Sequence, residues 1–138
     1  MSFYVDTCIY LNLWQGEERE EVKFWRIAEE FFKRCDAEKS TIIYSGFVRK
    51  ELQRIAPDAF ARNKLIFTDS RFNKITASSE DYSAARVLES ASNFSIGFFD
   101  CMHIVLTIKA GAILVTRDRA LIEFAVQRCR VARPEELK

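Results

Sequence analysis

A chain of 138 residues is the size of one domain, and a globule of this length buries roughly two-thirds of its unfolded surface, so one core without metal or disulfide staples is expected. Hydrophobic residues make up 49% of the chain, with twelve Phe but only four Gly and two Pro, which excludes a disordered or low-complexity chain. The 21 basic and 20 acidic side chains leave a formal charge of +1, excluding bulk attraction to a polyphosphate and leaving only a local basic patch for such contact.

The chain opens with the apolar run Phe3-Tyr4-Val5, ended by Asp6, and Ile9 to Trp14 follows as a brief helical turn. A strand leading into a helix is expected. No charged n-region precedes an apolar segment here, so a cytoplasmic protein without signal peptide or membrane span is expected. After the polar stretch Gln15 to Glu20, the residues Val22, Trp25, Ala28, Phe31, Phe32 and Cys35 recur at three- and four-residue steps. That spacing predicts an amphipathic helix. The β-branched and aromatic run at 41–45 reads as a strand, with Ser45 able to cap the next helix. Pro57 suits the first turn of another helix reaching about Phe67.

A short strand near Phe72 to Thr76 then precedes Ser78, Glu80 and Asp81, which suit a helix start, with Tyr82, Ala85, Leu88 and Ala91 as its inward face. Residues 101–110 are apolar nearly all round, as in a buried helix, and Gly111 ends it. The run at 112–116 is the clearest buried strand, Leu121 to Val126 opens the last helix, and a short strand near Val131 precedes the terminal Pro-Glu-Glu-Leu. Strands separated by helices imply an α/β fold with a mostly parallel sheet covered on both faces, and no repeat or linker divides the chain. The four cysteines, Cys8, Cys35, Cys101 and Cys129, are widely spaced and form no zinc or redox pair, so reduced thiols are the plain reading.

In open parallel sheets ligands bind beyond the carboxyl ends of the strands, which directs attention to Asp6 and Asp118. Either residue also suits a helix N-cap, where Asp accepts from free backbone N–H groups. Glu51 falls within the helical stripe of Phe47, Val48, Leu52 and Ile55, so a carboxylate faces the core side. It requires a cation or hydrogen-bond donors, and an internal salt bridge to an Arg competes with a metal. Asp100 opens the buried helix on the face carrying Ile104, Thr107 and Ile108, where capping and metal binding both apply. Together, two strand ends and two inward-facing helical positions can point at one crevice, which independent capping does not predict. Clustered carboxylates repel by roughly 4 kcal/mol per close pair at an effective dielectric near 20, so Mg²⁺ or Mn²⁺, hard ions that take oxygen ligands, are the natural occupants.

The sequence here resembles the PIN-domain ribonucleases, and especially the toxins of VapBC-type toxin–antitoxin pairs. The resemblance spans nearly the whole chain and rests on YVDT around Asp6, SGFVRKEL with Glu51, GFFDCMHIVLTIKAGAILVTRD with Asp100 and Asp118, and the closing RPEEL. It implies a single PIN-like domain over 1–138 in which Asp6, Glu51, Asp100 and Asp118 form an acidic metal-binding quartet, with the hydroxyl of Thr116 supporting the site. The activity implied is divalent-metal-dependent hydrolysis of RNA phosphodiesters, with a cognate antitoxin as partner. Cys8 departs from the family, which more often has Asn or Ser there, and puts one supporting contact in question. His103, three residues after Asp100, has no nearby partner motif and reads as a packed helical histidine.

Because the site is anionic, basic residues must guide the strand, and Arg117, Arg119, Arg49 and Lys50 flank the acids in sequence. They compete with the plain reading of solvated surface charge. The resemblance and the aromatic surplus around Trp14, Phe24 and Phe31 also lead to an expected homodimer, although core packing accounts for most of the aromatics. Other classes fit less well. A receiver-like phosphoacceptor carries an acidic pair after its first strand, whereas Asp6 is followed by Thr7 and Cys8. An Asp-x-Asp phosphatase fails at position 8, and no G-x-G-x-x-G supports dinucleotide binding. A catalytically silent PIN-like scaffold differs from the enzyme only in lacking metal-dependent RNA cleavage.

Overall fold

The computed structural model describes residues 1–137. The apolar run broken by Asp6 forms β1 (Ser2–Val5), and α1 (Thr7–Trp14) starts immediately after it. A hairpin of β2 (Glu18–Arg19) and β3 (Val22–Lys23) leads into α2 (Phe24–Ala37) and β4 (Thr41–Tyr44). Then come α3 (Gly46–Ile55), α4 (Pro57–Asn63), a 3-10 turn (Lys64–Thr68) and β5 (Phe72–Lys74). The remainder is α5 (Ser79–Ala91), α6 (Phe98–Ala110), β6 (Ile113–Val115), α7 (Arg119–Ala125), β7 (Val131–Ala132) and a 3-10 turn (Pro134–Glu136).

The central sheet runs β5-β4-β1-β6-β7, and every neighbouring pair is parallel. Tyr4 stands level with Ile43 on one side and Leu114 on the other. Successive residues of a strand point to opposite faces. Phe3 meets Phe31 of α2 edge-on at 5.4 Å, whereas Tyr4 meets His103 of α6 at 5.3 Å. Helices therefore cover both faces, as the α/β expectation requires, and the core between them includes Val5, Leu52, Ile104, Leu106 and Leu114. The chain steps outward from β1 to β4 and β5, then returns across β1 to β6 and β7. That reversal places a topological switch at the carboxyl end of β1, where parallel sheets open a crevice.

Several expected boundaries shift for physical reasons. The hairpin replaces the expected polar stretch, and its two-residue turn holds Glu20 and Glu21 at φ 50° and 69°, the left-handed pair of a type I′ turn usually signalled by Asn-Gly. Val22 keeps the helical period of α2 yet lies in β3 and is 44% exposed. On α5 only Ala85 is buried among the expected inward residues, because Tyr82 packs at its edge on Phe47 and Phe98 while Ala91 is exposed. Ile55 and Ile108, placed on the inward stripes of α3 and α6, are half-exposed. Ser45, Ser78 with Asp81, and left-handed Gly111 bound their helices as their residue types predict.

Candidate active site

Asp6 follows β1 directly and is 5% exposed. Its Oδ1 accepts from the Thr7 N–H at 2.7 Å, and its Oδ2 accepts from the Thr116 hydroxyl at 2.7 Å. Thr116, the residue after β6, is fully buried, and its Oγ1 in turn accepts from the Asp118 N–H at 3.1 Å. One hydroxyl thus ties together the acids at the ends of two adjacent parallel strands. Cys8 joins the same cluster: its thiol donates to Asp6 Oδ2 at 3.5 Å and accepts from the Arg117 N–H at 3.4 Å. The supporting contact put in question by the Cys8 departure is made here through sulfur, a weaker partner than oxygen or nitrogen. Burial and the Asp6 charge push the Cys8 thiol far above its ordinary pKa, so it stays neutral.

Glu51 reaches the crevice from the middle of α3. Its Oε1 accepts from the Thr7 hydroxyl at 2.9 Å and from His103 Nε2 at 2.7 Å. Burial opposes its charge, but these two hydrogen bonds and the nearby His103 and Arg54 charges outweigh that and hold its pKa below the ordinary value. The internal partner expected for Glu51 is thus a histidine rather than an arginine. Asp100, in the first turn of α6, accepts no hydrogen bond among the described residues, and the N-cap of α6 is Gly97 without a side-chain cap bond. Burial, followed by the charge of Asp6, pushes its carboxyl up to about 7, with His103 pulling the other way and Glu51 and Asp118 adding to the rise. The charges of the other three acids thus reach Asp100, although its burial is the larger cause of the rise.

Asp6 and Asp118 are both helix N-caps as well: Asp118 Oδ1 accepts from Leu121 N–H at 3.2 Å, at the exposed start of α7. Capping and membership of the cluster coexist. His103 is not the isolated packed histidine that its lack of a nearby motif implied. It is fully buried, bonded to Glu51, and 3.8 Å from Asp6 Oδ1. Asp6, Glu51 and His103 each offer a ligand-type atom within 4.8 Å of one another. Carboxylate oxygens gathered in one partly buried crevice are donors suited to a hard divalent cation. One cleft is lined by Glu51, Asp100, Arg54, Gly97 and Phe98, and another by Cys8, Asn12, Phe24, Arg117 and Asp118. A further groove, lined by Leu13, Phe32, Ile42, Ile66 and Phe72 with Asp36 and Arg71, contains none of the four acids.

The flanking bases divide. Arg117 donates from both terminal nitrogens to Glu135, at 3.0 and 2.8 Å, and lies over the Phe24 ring at 4.3 Å. Its guanidinium fastens the C-terminal turn to the start of α2. Arg49 lies over the Phe60 and Phe67 rings, because two residues before Glu51 is about 200° around a helix and so nearly opposite. Lys50 lines a separate cleft with Lys74 and Tyr82. Arg119 is exposed and paired with Glu123 at 3.1 Å. Arg54, which sequence adjacency passed over, shares the cleft of Glu51 and Asp100. The i, i+3 relation to Glu51 was the signal for it.

The family model for the PIN domain matches residues 3–127. The chain belongs to the PIN-domain family. No curated protein sequence matches it, but solved structures share its fold at low identity. A chain of VapBC2 from Rickettsia felis, solved bound to a DNA fragment from their promoter, superposes with a TM-score of 0.71 at 18% identity, covering 96% of this chain and 98% of that one. The VapBC-1 structure from nontypeable Haemophilus influenzae gives 0.69 at 14% identity over 98% and 99% of the two chains. A toxin–antitoxin complex from Klebsiella pneumoniae gives 0.67 at 17% identity over 97% and 98%.

Proposed function

We propose that the protein is a divalent-metal-dependent endoribonuclease acting as the toxin of a toxin–antitoxin pair, with Asp6, Glu51, Asp100 and Asp118 as its metal-binding quartet. What supports this reading is the geometry beyond β1, where Asp6 and Glu51 bring carboxylate oxygens within 4.8 Å of one another beside His103, with Asp100 sharing the cleft of Glu51 and pushed up to about 7 by burial and then by Asp6, a cost that a cation would relieve. A bound Mg²⁺ or Mn²⁺ would supply Lewis acidity and make a nearby water easier to deprotonate. Among the described residues, Glu51 Oε2, Asp118 Oδ2 and both Asp100 oxygens have no hydrogen-bond donor. These are the oxygens left to face a cation or an attacking water. Thr116 keeps Asp6 and Asp118 in register, and one member of the quartet would orient the water and take its proton as its oxygen adds to phosphorus, while the bond to the leaving ribose oxygen breaks and that oxygen takes a proton from solvent.

Arg54, at the mouth of the Glu51–Asp100 cleft, and exposed Arg119 are the bases placed to meet the phosphate backbone. The preference for RNA rests on the family resemblance. A cognate antitoxin is supported by the neighbouring structures being toxin–antitoxin complexes. A single domain, homodimerisation and a cytoplasmic location complete the reading; no helix among the described residues is long and apolar enough to cross a membrane. The test is cleavage of a labelled RNA by the purified protein with Mg²⁺ or Mn²⁺, and its loss in EDTA. Cleavage undiminished by EDTA would sink the mechanism, and cleavage of single-stranded DNA but not RNA would overturn the substrate.

A further inference from the structure

His103 lies wholly inside the protein, and both nitrogens of its ring are engaged. Nε2 is 2.7 Å from Glu51 Oε1, and Nδ1 is 2.7 Å from the Tyr4 hydroxyl, which is itself 2.7 Å from Ser45 Oγ. Ser45 Oγ also accepts from the Val48 N–H at 3.4 Å, at the start of the helix that carries Glu51. The roles along this chain follow from chemistry. An ionised carboxylate only accepts, so Nε2 carries the hydrogen and donates it to Glu51. A nitrogen that donates to Glu51 has no lone pair for a cation, although its distance from Asp6 would suit a shared ligand set. Thr7 donates to the same Glu51 oxygen, and Oε2 is left unclaimed.

We propose that His103, backed by Tyr4 and Ser45, is a positioning residue that fixes the Glu51 carboxylate through one oxygen and so presents the other to the cation. This rests on the reading of Glu51 as a cation ligand. Donors behind metal-binding carboxylates set ligand orientation, and removing one typically costs about 10- to 100-fold in metal affinity or activity. Here the donor comes from a buried strand-and-helix scaffold, β1 and α6 together, which is rigid compared with any surface side chain.

Two amides of different reach separate this role from simple filling of the core. Counted from Cβ, the amide nitrogen of Gln occupies the place of imidazole Nε2, and that of Asn the place of Nδ1. The full chain, stripped with EDTA, would be titrated with Mn²⁺ and free ion read by electron paramagnetic resonance, with RNA cleavage measured in parallel. His103→Gln is expected to bind Mn²⁺ within about threefold of the parent, whereas His103→Asn loses about 10- to 100-fold. Tyr4→Phe removes one atom behind the ring and is expected to weaken binding severalfold, which keeps the test decisive should His103→Asn fail to fold. Pulsed spectra of the parent–Mn²⁺ complex should lack the coupling of a directly bonded nitrogen.

Parent-like affinity in both His103→Asn and Tyr4→Phe would overturn the positioning role and leave the metal site standing. Equal loss in His103→Asn and His103→Gln would overturn it too, since the Gln donor would then be irrelevant. A directly bonded nitrogen in the parent would make His103 a ligand instead. A parent that binds no Mn²⁺ and cuts no RNA would remove the cation reading itself and this inference with it.

Discussion

Replacing Asp100 by Asn in the metal-free protein tests how far burial and the neighbouring acids strain this carboxyl. Burial, then Asp6, raises its carboxyl from 3.8 to about 7. Between these values the folded state holds a proton that the unfolded chain has released, so the folded state binds more protons and stability falls as pH rises. The fall starts near pH 4, runs at about 1.4 kcal/mol per pH unit, and levels off above about pH 7. A shift of roughly three units makes the total about 4 kcal/mol, a ceiling that water entry and relaxation reduce. Asn cannot ionise and escapes this loss.

In EDTA at pH 8, Asp100→Asn is therefore expected to melt above the parent, by about 4 °C for each kcal/mol relieved in a chain of this size. At pH 4 the two should melt together. Saturating Mn²⁺ should raise the parent more than the variant, because only the parent keeps the full ligand set. Melting curves by differential scanning fluorimetry between pH 4 and pH 8.5, with EDTA or Mn²⁺, read all three comparisons. A variant that melts below the parent at pH 8 in EDTA, or one with the parent's pH dependence, would refute the argument that the Asp100 carboxylate is strained in the folded protein.

The two N-cap acids differ as targets. Asp118 uses one oxygen for Leu121 and leaves the other open, so Asp118→Asn should keep its cap and its fold while losing cleavage by orders of magnitude; full activity with the parent's Mn²⁺-dependent melting shift would make Asp118 a cap alone. Both oxygens of Asp6 accept from donors, so an amide must turn its NH₂ toward one of them, and Asp6→Asn should lose about 1–3 kcal/mol as well as activity, read by urea denaturation. Arg54→Gln should weaken RNA binding and make its logarithmic salt dependence shallower by about 0.7, one single-strand phosphate contact; an unchanged slope argues against that contact. Arg117→Ala should lose about 1–2 kcal/mol through Glu135 and Phe24 with little change in KM, whereas a raised KM at unchanged stability would restore it as a substrate contact.

What the sequence made legible was local. Strand β1 and Asp6, the run from Asp100 through Gly111 to Asp118, and the Ser45 cap each depend on residues within a few positions of one another. The network behind Glu51 depends on distant ones. Thr7 is 44 positions away, His103 52, and Tyr4 and His103 are 99 apart, so no periodicity connects them. Helix geometry explains the bases: Lys50 and Arg49 are nearest to Glu51 in sequence but turn progressively away from it, whereas Arg54 returns to its side. The β2–β3 hairpin escaped notice because its turn places two Glu residues where Gly or Asn normally signals positive φ.

Helix capping at Asp6 and Asp118 is compatible with the cation binding proposed there, and the magnitudes show what capping alone leaves unbalanced. Asp6 and Asp118 begin α1 and α7, and Asp100 lies in the first turn of α6, where free N–H groups and the helix dipole favour negative charge by about 0.3–1 kcal/mol each. Glu51 lies mid-helix and lacks that help, but it has His103 and Thr7 as donors. Repulsion between close carboxylates runs to roughly 4 kcal/mol per pair at an effective dielectric near 20, several times what a helix end returns. Asp100, the member with a helix end but no donor, has nothing to offset its burial and the added charge of Asp6, and its raised carboxyl pKa follows. Helix ends offset only part of that repulsion, and the proposed divalent cation would offset the rest. Removing a single acid should therefore stabilise the metal-free protein only where that acid lacks donors, which singles out Asp100 over Asp6 and Glu51.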